Sequence, residues 1–185
     1  ENTRRAFESA LALASHDGKR KVSTAPRSRL PKVSYLGDIV GHCGRANAMV
    51  VLPPDYNESK PLPLLLHLHG FMMNPLVYLE AFNFPIAAEI EKLQGGEDFS
   101  AIHVLPWGKA FEGHTMARFW KTSVGQCCDF PRFFQGFNET CNQDDAGYLA
   151  ELLKRAVKAY NVKQDQVYVF GFSNGGVMAD RLGCK

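Results

Sequence analysis

One stretch, QVYVFGFSNGGVMADRL at residues 166–182, constrains the fold more than any other. It opens as a run of β-branched and aromatic residues, turns through glycine-flanked Ser173, and continues with helical character. A strand that feeds directly into a helix is half of a βαβ unit, the building block of a parallel sheet. Gly171-Phe172-Ser173-Asn174-Gly175 fits the pattern Gly-x-Ser-x-Gly. With Gly and Ser each near ~7% of residues, that pattern arises by chance in about one chain in twenty of this size. The strand before it and the helix after it give it weight, because a nucleophile elbow needs both. The turn forces the serine into a strained backbone, and its flanking positions must lack Cβ so that strand and helix can approach. Ser173 is then expected to stand proud of the sheet, with its Oγ at the positive end of the following helix.

The rest of the chain supports the same architecture. NAMVVLPPDY ends in a Pro-Pro turn signal, and PLPLLLHLHG is a nearly continuous apolar run closed by glycine, as expected of a strand buried on both faces. SAIHVLPW reads as the next buried strand and QVYVFGF as the third. Between them, Asn74-Pro75 supplies a cap and a first-turn proline for helical sequence that is interrupted at Pro85 and resumes through Ile86, Ile90 and Leu93. Asp144 and Asp145 open a second helix with Ala146, Leu149, Leu153, Ala156 or Val157, and Tyr160 at helical spacing, ended by Asn161. The expected fold is α/β: a mostly parallel sheet with helices on both faces. Gly108 to Cys141, rich in Gly, Phe and Cys, lacks a clear period and reads as a disulfide-pinned functional loop. Residues 1–32 are basic and poor in large apolar side chains, so they read as an extended arm, either a flexible tail or a docking segment, ahead of one domain over 33–185.

Composition removes several function classes. At 185 residues and 45% hydrophobic, the chain can bury one core. A net charge of +2, with no Lys/Arg run interleaved with aromatics, argues against nucleic acid. No stretch approaches the ~18 apolar residues of a membrane span, and the N-terminus has no signal-peptide apolar core. Cys43, Cys127, Cys128, Cys141 and Cys184 lack paired metal-site spacing, so disulfides are expected rather than a metal, with at least one thiol left over. Asn57-Glu58-Ser59 and Asn138-Glu139-Thr140 are glycosylation acceptor patterns, and with the cysteines they point to a secreted or extracellular setting.

For an oxyanion, the amide of Asn174 at the helix start is one expected donor. The amide of Phe71, just past the strand that ends at Gly70, is the second. His67 and His69 share one strand face but have no evident third ligand, so hydrogen-bonded core histidines are expected in place of a metal site. His103 and His114 lie on or after the next strand, where either could approach the serine, and both precede Ser173 in the chain. No cofactor is called for.

From about Gly41 to Cys184 the sequence resembles the polyhydroxybutyrate depolymerase and feruloyl or acetylxylan esterase branch of the α/β-hydrolases. The resemblance rests on VVLPPDYNESKPLPLLLHLHG, WKTSVGQCC at residues 120–128, the Asp144-Asp145 helix start and VYVFGFSNGGVMADRLGC. It implies Ser173 as nucleophile, the Phe71 and Asn174 amides as the oxyanion hole, and Cys184 paired with one vicinal cysteine, Cys128. HLHGFMMNP departs from the glycine-richer form of such families, and the N-terminal arm has no counterpart. In this fold the triad runs serine, acid, histidine along the chain. After Ser173 the only ionisable side chains are Asp180, Arg181, Cys184 and Lys185. The expectation is therefore the front portion of a longer serine esterase acting on polyester, feruloyl or acetyl esters, completed by a second polypeptide or a further segment. The alternative is a catalytically inactive hydrolase-fold subunit of a larger assembly.

Overall fold

A computed structural model of the chain describes residues 32–37, 45–81, 100–110, 116–122 and 144–183. Its center is a five-stranded sheet of β1 (Lys32–Leu36), β2 (Ala48–Leu52), β3 (Leu62–Leu68), β4 (Ile102–Leu105) and β7 (Val162–Gly171). The spatial order is β1-β2-β4-β3-β7. β3 is parallel to both β4 and β7, whereas β2 is antiparallel to both β1 and β4. The sheet is mixed, and the expectation of a mostly parallel one fails. Its β1–β2 half is an antiparallel ribbon, and residues 37–47 between the two strands are too few for the crossover that a parallel pairing needs.

Helices α1 (Pro75–Ala81), α2 (Asp145–Ala159) and α3 (Asn174–Gly183) pack on both faces. β2 and β4, whose side chains alternate between the faces of the sheet, supply residues to two cores. On one face Val50, Leu64, Leu66, Leu68 and Val104 meet Leu149, Leu152 and Ala156 of α2 and Met178 of α3. On the other, Met49, Val51 and Leu105 meet Tyr78 of α1. Every β3 residue is buried, as PLPLLLHLHG leads one to expect, and each fully buried leucine there contributes about 1.5–3 kcal/mol.

The helix starts follow their caps. Asn74 Oδ1 accepts from the Leu76 and Val77 N–H groups, with Pro75 in the first turn where no donor is needed. Asp144 Oδ1 and Oδ2 accept from the Ala146 and Gly147 N–H groups. α2 closes at Ala159 with Tyr160 as its cap, one residue before the expected stop at Asn161.

Two expectations need correction. β7 is not a strand buried on both faces: its N-terminal half is largely exposed, and Tyr168, Phe170 and Phe172 are about half exposed. The reason is its place in the sheet, where it pairs only with β3 among the described residues and Tyr168 and Phe170 project from the face opposite α3. The apolar content of QVYVFGF suggests burial, but composition does not reveal which side of a strand is covered. The segment after Gly108 also holds regular structure, a ribbon of β5 (Lys109–Ala110) and β6 (Arg118–Phe119). Residues 1–31, all five cysteines, Asn138, His114 and the helical stretch through Ile86, Ile90 and Leu93 lie outside the described residues.

Candidate active site

β7 stops at Gly171 and α3 starts at Asn174, so Phe172 and Ser173 form the whole turn. Ser173 is exposed and sits at φ 51°, in the left-handed region that a side chain rarely adopts. Hydrogen bonds on both sides hold it there. Phe172 N–H donates to Leu68 O at 3.1 Å, Gly175 N–H to Phe172 O at 2.8 Å, and Val177 N–H to Ser173 O at 3.1 Å. The two glycines of the motif are sterically obligatory. A Cβ on Gly171 would lie 2.1 Å from Gly175 O, and one on Gly175 would lie 2.1 Å from Leu68 O. Strand β3, strand β7 and helix α3 therefore touch through bare backbone beneath Ser173.

The loop leaving β3 lies beside this elbow. Gly70 abuts Phe172, since a Cβ there would meet the Phe172 ring at 2.9 Å. Phe71 and Met72 form a tight turn with Met72 at φ 61°, closed by Met73 N–H donating to Gly70 O at 3.2 Å. The turn is held from outside by Arg118 N–H on Met73 O at 3.1 Å and by Asn74 Nδ2 on Met116 O at 3.0 Å. Met72, Met116 and Phe172 are each about half exposed.

Trp120 ties the two loops together. Its backbone N–H donates to Asn174 Oδ1 at 2.7 Å, and Asn174 Nδ2 donates to its carbonyl at 3.0 Å. Its indole N–H donates to the carbonyl of His69 at 2.9 Å, with the His69 ring tilted against the indole at 4.9 Å. The next residue is anchored as well: Lys121 N–H donates to Asp145 Oδ2, and Arg181 donates to Lys121 O at 2.9 Å. Asp145 is fully buried and ion-paired with equally buried Arg45, whose guanidinium lies 4.2 Å above the Tyr148 ring. Burial lowers the Arg45 pKa to about 10 and raises that of Tyr148 to about 12. The sequence motif assigns Asn174 a backbone role only. Its side-chain role, and the Arg45–Asp145 pair, join residues 54 and 100 positions apart and leave no local pattern to find.

The described histidines have settled partners. His67 Nε2 lies 3.0 Å from His103 Nδ1 on the neighboring strand, and the His67 ring stacks between those of His103 and Phe170. Burial first, and for His67 also the second ring, lowers their pKa values to about 3 and about 4. His103, which from its strand position could approach the serine, is thus engaged with His67. His69 is engaged with Gly70 O and the Gly108 N–H. Its pKa falls to about 4 through burial, with the Arg118 charge adding to the effect and the Gly70 bond opposing it. No group of three His, Cys, Asp or Glu side chains that could hold a metal ion occurs among the described residues. No helix among them is long and apolar enough to cross a membrane.

No family model matches the chain, and no curated protein matches it in sequence. Its fold, however, is similar to that of solved ferulic acid esterases. One superposes with a TM-score of 0.54 at 21% identity, covering 80% of this chain and 52% of its own. Another, the ferulic acid esterase AmCE1/Fae1A of the anaerobic fungus Anaeromyces mucronatus without substrate, gives 0.53 at 20% identity, covering 84% and 53%. The likeness at this identity is one of fold, an α/β architecture with a mixed sheet, and the chain spans about half the length of these structures.

Proposed function

We propose that this chain carries the nucleophile and oxyanion half of a serine carboxylic-ester hydrolase of the α/β-hydrolase type. The observation that carries the proposal is Ser173 itself: an exposed serine at φ 51°, between two positions where only glycine fits, at the start of a helix. Such strain, about 1–3 kcal/mol for a non-glycine residue, persists where the surrounding structure enforces it and is concentrated at functional sites. In this reading Ser173 Oγ attacks an ester carbonyl, forming the C–O bond of a tetrahedral intermediate whose oxyanion is held by the Asn174 and Phe71 amides. The alcohol leaves, and water then releases the acid. A base must accept the serine proton. The three described histidines are engaged elsewhere, and in the order serine, acid, histidine that this fold follows, the imidazole and carboxylate would come from a further segment or a second polypeptide after the elbow.

Such a part would have a seat in this reading. β7 pairs with β3 alone among the described residues and carries the half-exposed rings of Tyr168 and Phe170, as fits a strand that another element covers. The same surface favors the second reading, an inactive subunit whose partner lies there. Ferulic and other aromatic esters, polyesters and acetyl esters are the substrate classes proposed, and a secreted, disulfide-bonded glycoprotein is the proposed setting. Hydrolysis of p-nitrophenyl acetate by the complete native protein, lost in Ser173→Ala, is the expected result. Turnover that survives Ser173→Ala would refute the assignment.

A further inference from the structure

The tautomer of His69 is fixed by its partners. Gly70 O can only accept, so Nδ1, 2.8 Å away, carries the proton. The Gly108 N–H can only donate, so Nε2, 3.0 Å away, is bare. The ring is therefore neutral, buried, and bonded at both nitrogens, with Trp120 against its face and the Trp120 indole N–H on its backbone carbonyl.

The bond to Gly70 O bears on a different atom. Gly70 O and the Phe71 N–H belong to one peptide unit, which is planar and trans, so the two point in opposite directions. Gly70 O receives two donors, His69 Nδ1–H at 2.8 Å and Met73 N–H at 3.2 Å. Holding that carbonyl holds the Phe71 N–H on the other side. We propose that His69 is a positioning residue that locks the Gly70–Phe71 peptide in the orientation that presents the Phe71 N–H to a developing oxyanion. The inference rests on the esterase reading above. It assigns His69 neither to the proton relay nor to a metal. The lock is itself joined to the other oxyanion donor, since Trp120 bonds both the His69 carbonyl and the Asn174 side chain.

Two substitutions separate this role from that of a general structural staple. In His69→Asn the side-chain amide can donate to Gly70 O from near the Nδ1 position but cannot reach Gly108. In His69→Gln the amide oxygen can accept from the Gly108 N–H near the Nε2 position but cannot also serve Gly70 O. With both variants folded by circular dichroism, the lock predicts that His69→Gln loses about 10²-fold in kcat toward p-nitrophenyl acetate with KM little changed, as for an oxyanion donor out of place. His69→Asn should retain at least tenfold more of kcat than His69→Gln. The reverse order, or equal losses, would overturn the proposal. A readout independent of catalysis is the Phe71 amide NMR resonance of the same proteins, expected to hold its shift in His69→Asn and to move or broaden in His69→Gln. If the native protein hydrolyzes no ester yet the resonance behaves this way, the lock stands and the esterase reading falls. An unmoved resonance in both variants would sink the lock alone.

Discussion

Asn174 closes two hydrogen bonds on the backbone of Trp120, accepting from its N–H at 2.7 Å and donating to its carbonyl at 3.0 Å. The residue that follows Ser173 thus does two jobs at once. Its backbone opens helix α3, where first-turn N–H groups have no intrahelical acceptor. Its side chain, nearly inaccessible to solvent, pins the loop that in turn bonds the end of β3. A side-chain amide matches both backbone groups of Trp120, because it carries its donor and its acceptor on two separate atoms, which a hydroxyl of similar size does not.

Asn174→Ala should therefore strand a buried N–H and a buried carbonyl on Trp120. Each unsatisfied group costs about 1–3 kcal/mol, so a loss of about 2–6 kcal/mol in urea unfolding is expected. Asn174→Asp should fall short of wild type too, since it cannot donate to the Trp120 carbonyl. Wild-type stability in Asn174→Ala would show that this pair does not hold the loop.

Ser173→Gly makes the opposite prediction for stability. Glycine adopts φ 51° without the penalty that serine incurs, so this variant should be more stable than wild type by about 1 kcal/mol and, on the proposed function, should hydrolyze no ester. The check is a urea midpoint measured beside Ser173→Ala, which keeps the strain and should unfold like wild type. A destabilized Ser173→Gly would mean that the serine side chain itself supports the turn.

The elbow is legible in the amino-acid sequence because its signals are local. Gly171, Ser173 and Gly175 lie within five residues, and Asn74-Pro75 and Asp144 sit beside the helices they cap. Burial of β3 also follows from its own composition. What stays hidden depends on contacts between distant segments: the antiparallel start of the sheet, the ribbon at Lys109 and Arg118, the open side of β7, the Arg45–Asp145 pair and the Asn174–Trp120 clasp. QVYVFGF shows the limit plainly. Its residues specify a strand, whereas the cover over Tyr168 and Phe170 is a property of neighbors that its sequence does not encode.

His67, His69 and His103 all titrate lower in the fold than the ordinary value near 6.5, at about 3, 4 and 4. As pH falls, an unfolded chain takes up these protons first, so stability is fully present above about pH 6.5 and lost as pH drops toward 4. Urea midpoints should decline across that window, and His103→Gln should show a shallower decline. Equal slopes for both proteins would remove the buried pair as the cause.

Asn57 sits in an exposed turn, where Ser59 N–H and Ser59 Oγ–H both donate to its Oδ1 at 2.9 Å. The turn precedes β3, whose far end leads to the Ser173 loops, about 20 Å away at ~3.3 Å per residue. A glycan on Asn57 Nδ2 would project into solvent away from the site. Protein made in a eukaryotic secretory pathway should lose mass at this position on endoglycosidase treatment, with kcat/KM unchanged. An unmodified Asn57 peptide would remove this site from the glycoprotein reading.

Ser173 as an activated nucleophile is the center of this account, and covalent trapping tests it most directly. The native protein, incubated with a fluorophosphonate, digested and mapped by mass spectrometry, should carry one phosphonyl adduct on Ser173. The adduct should be absent after heat denaturation and in Ser173→Ala. Folded native protein whose Ser173 stays unlabeled, or whose label falls on another serine, would contradict the account.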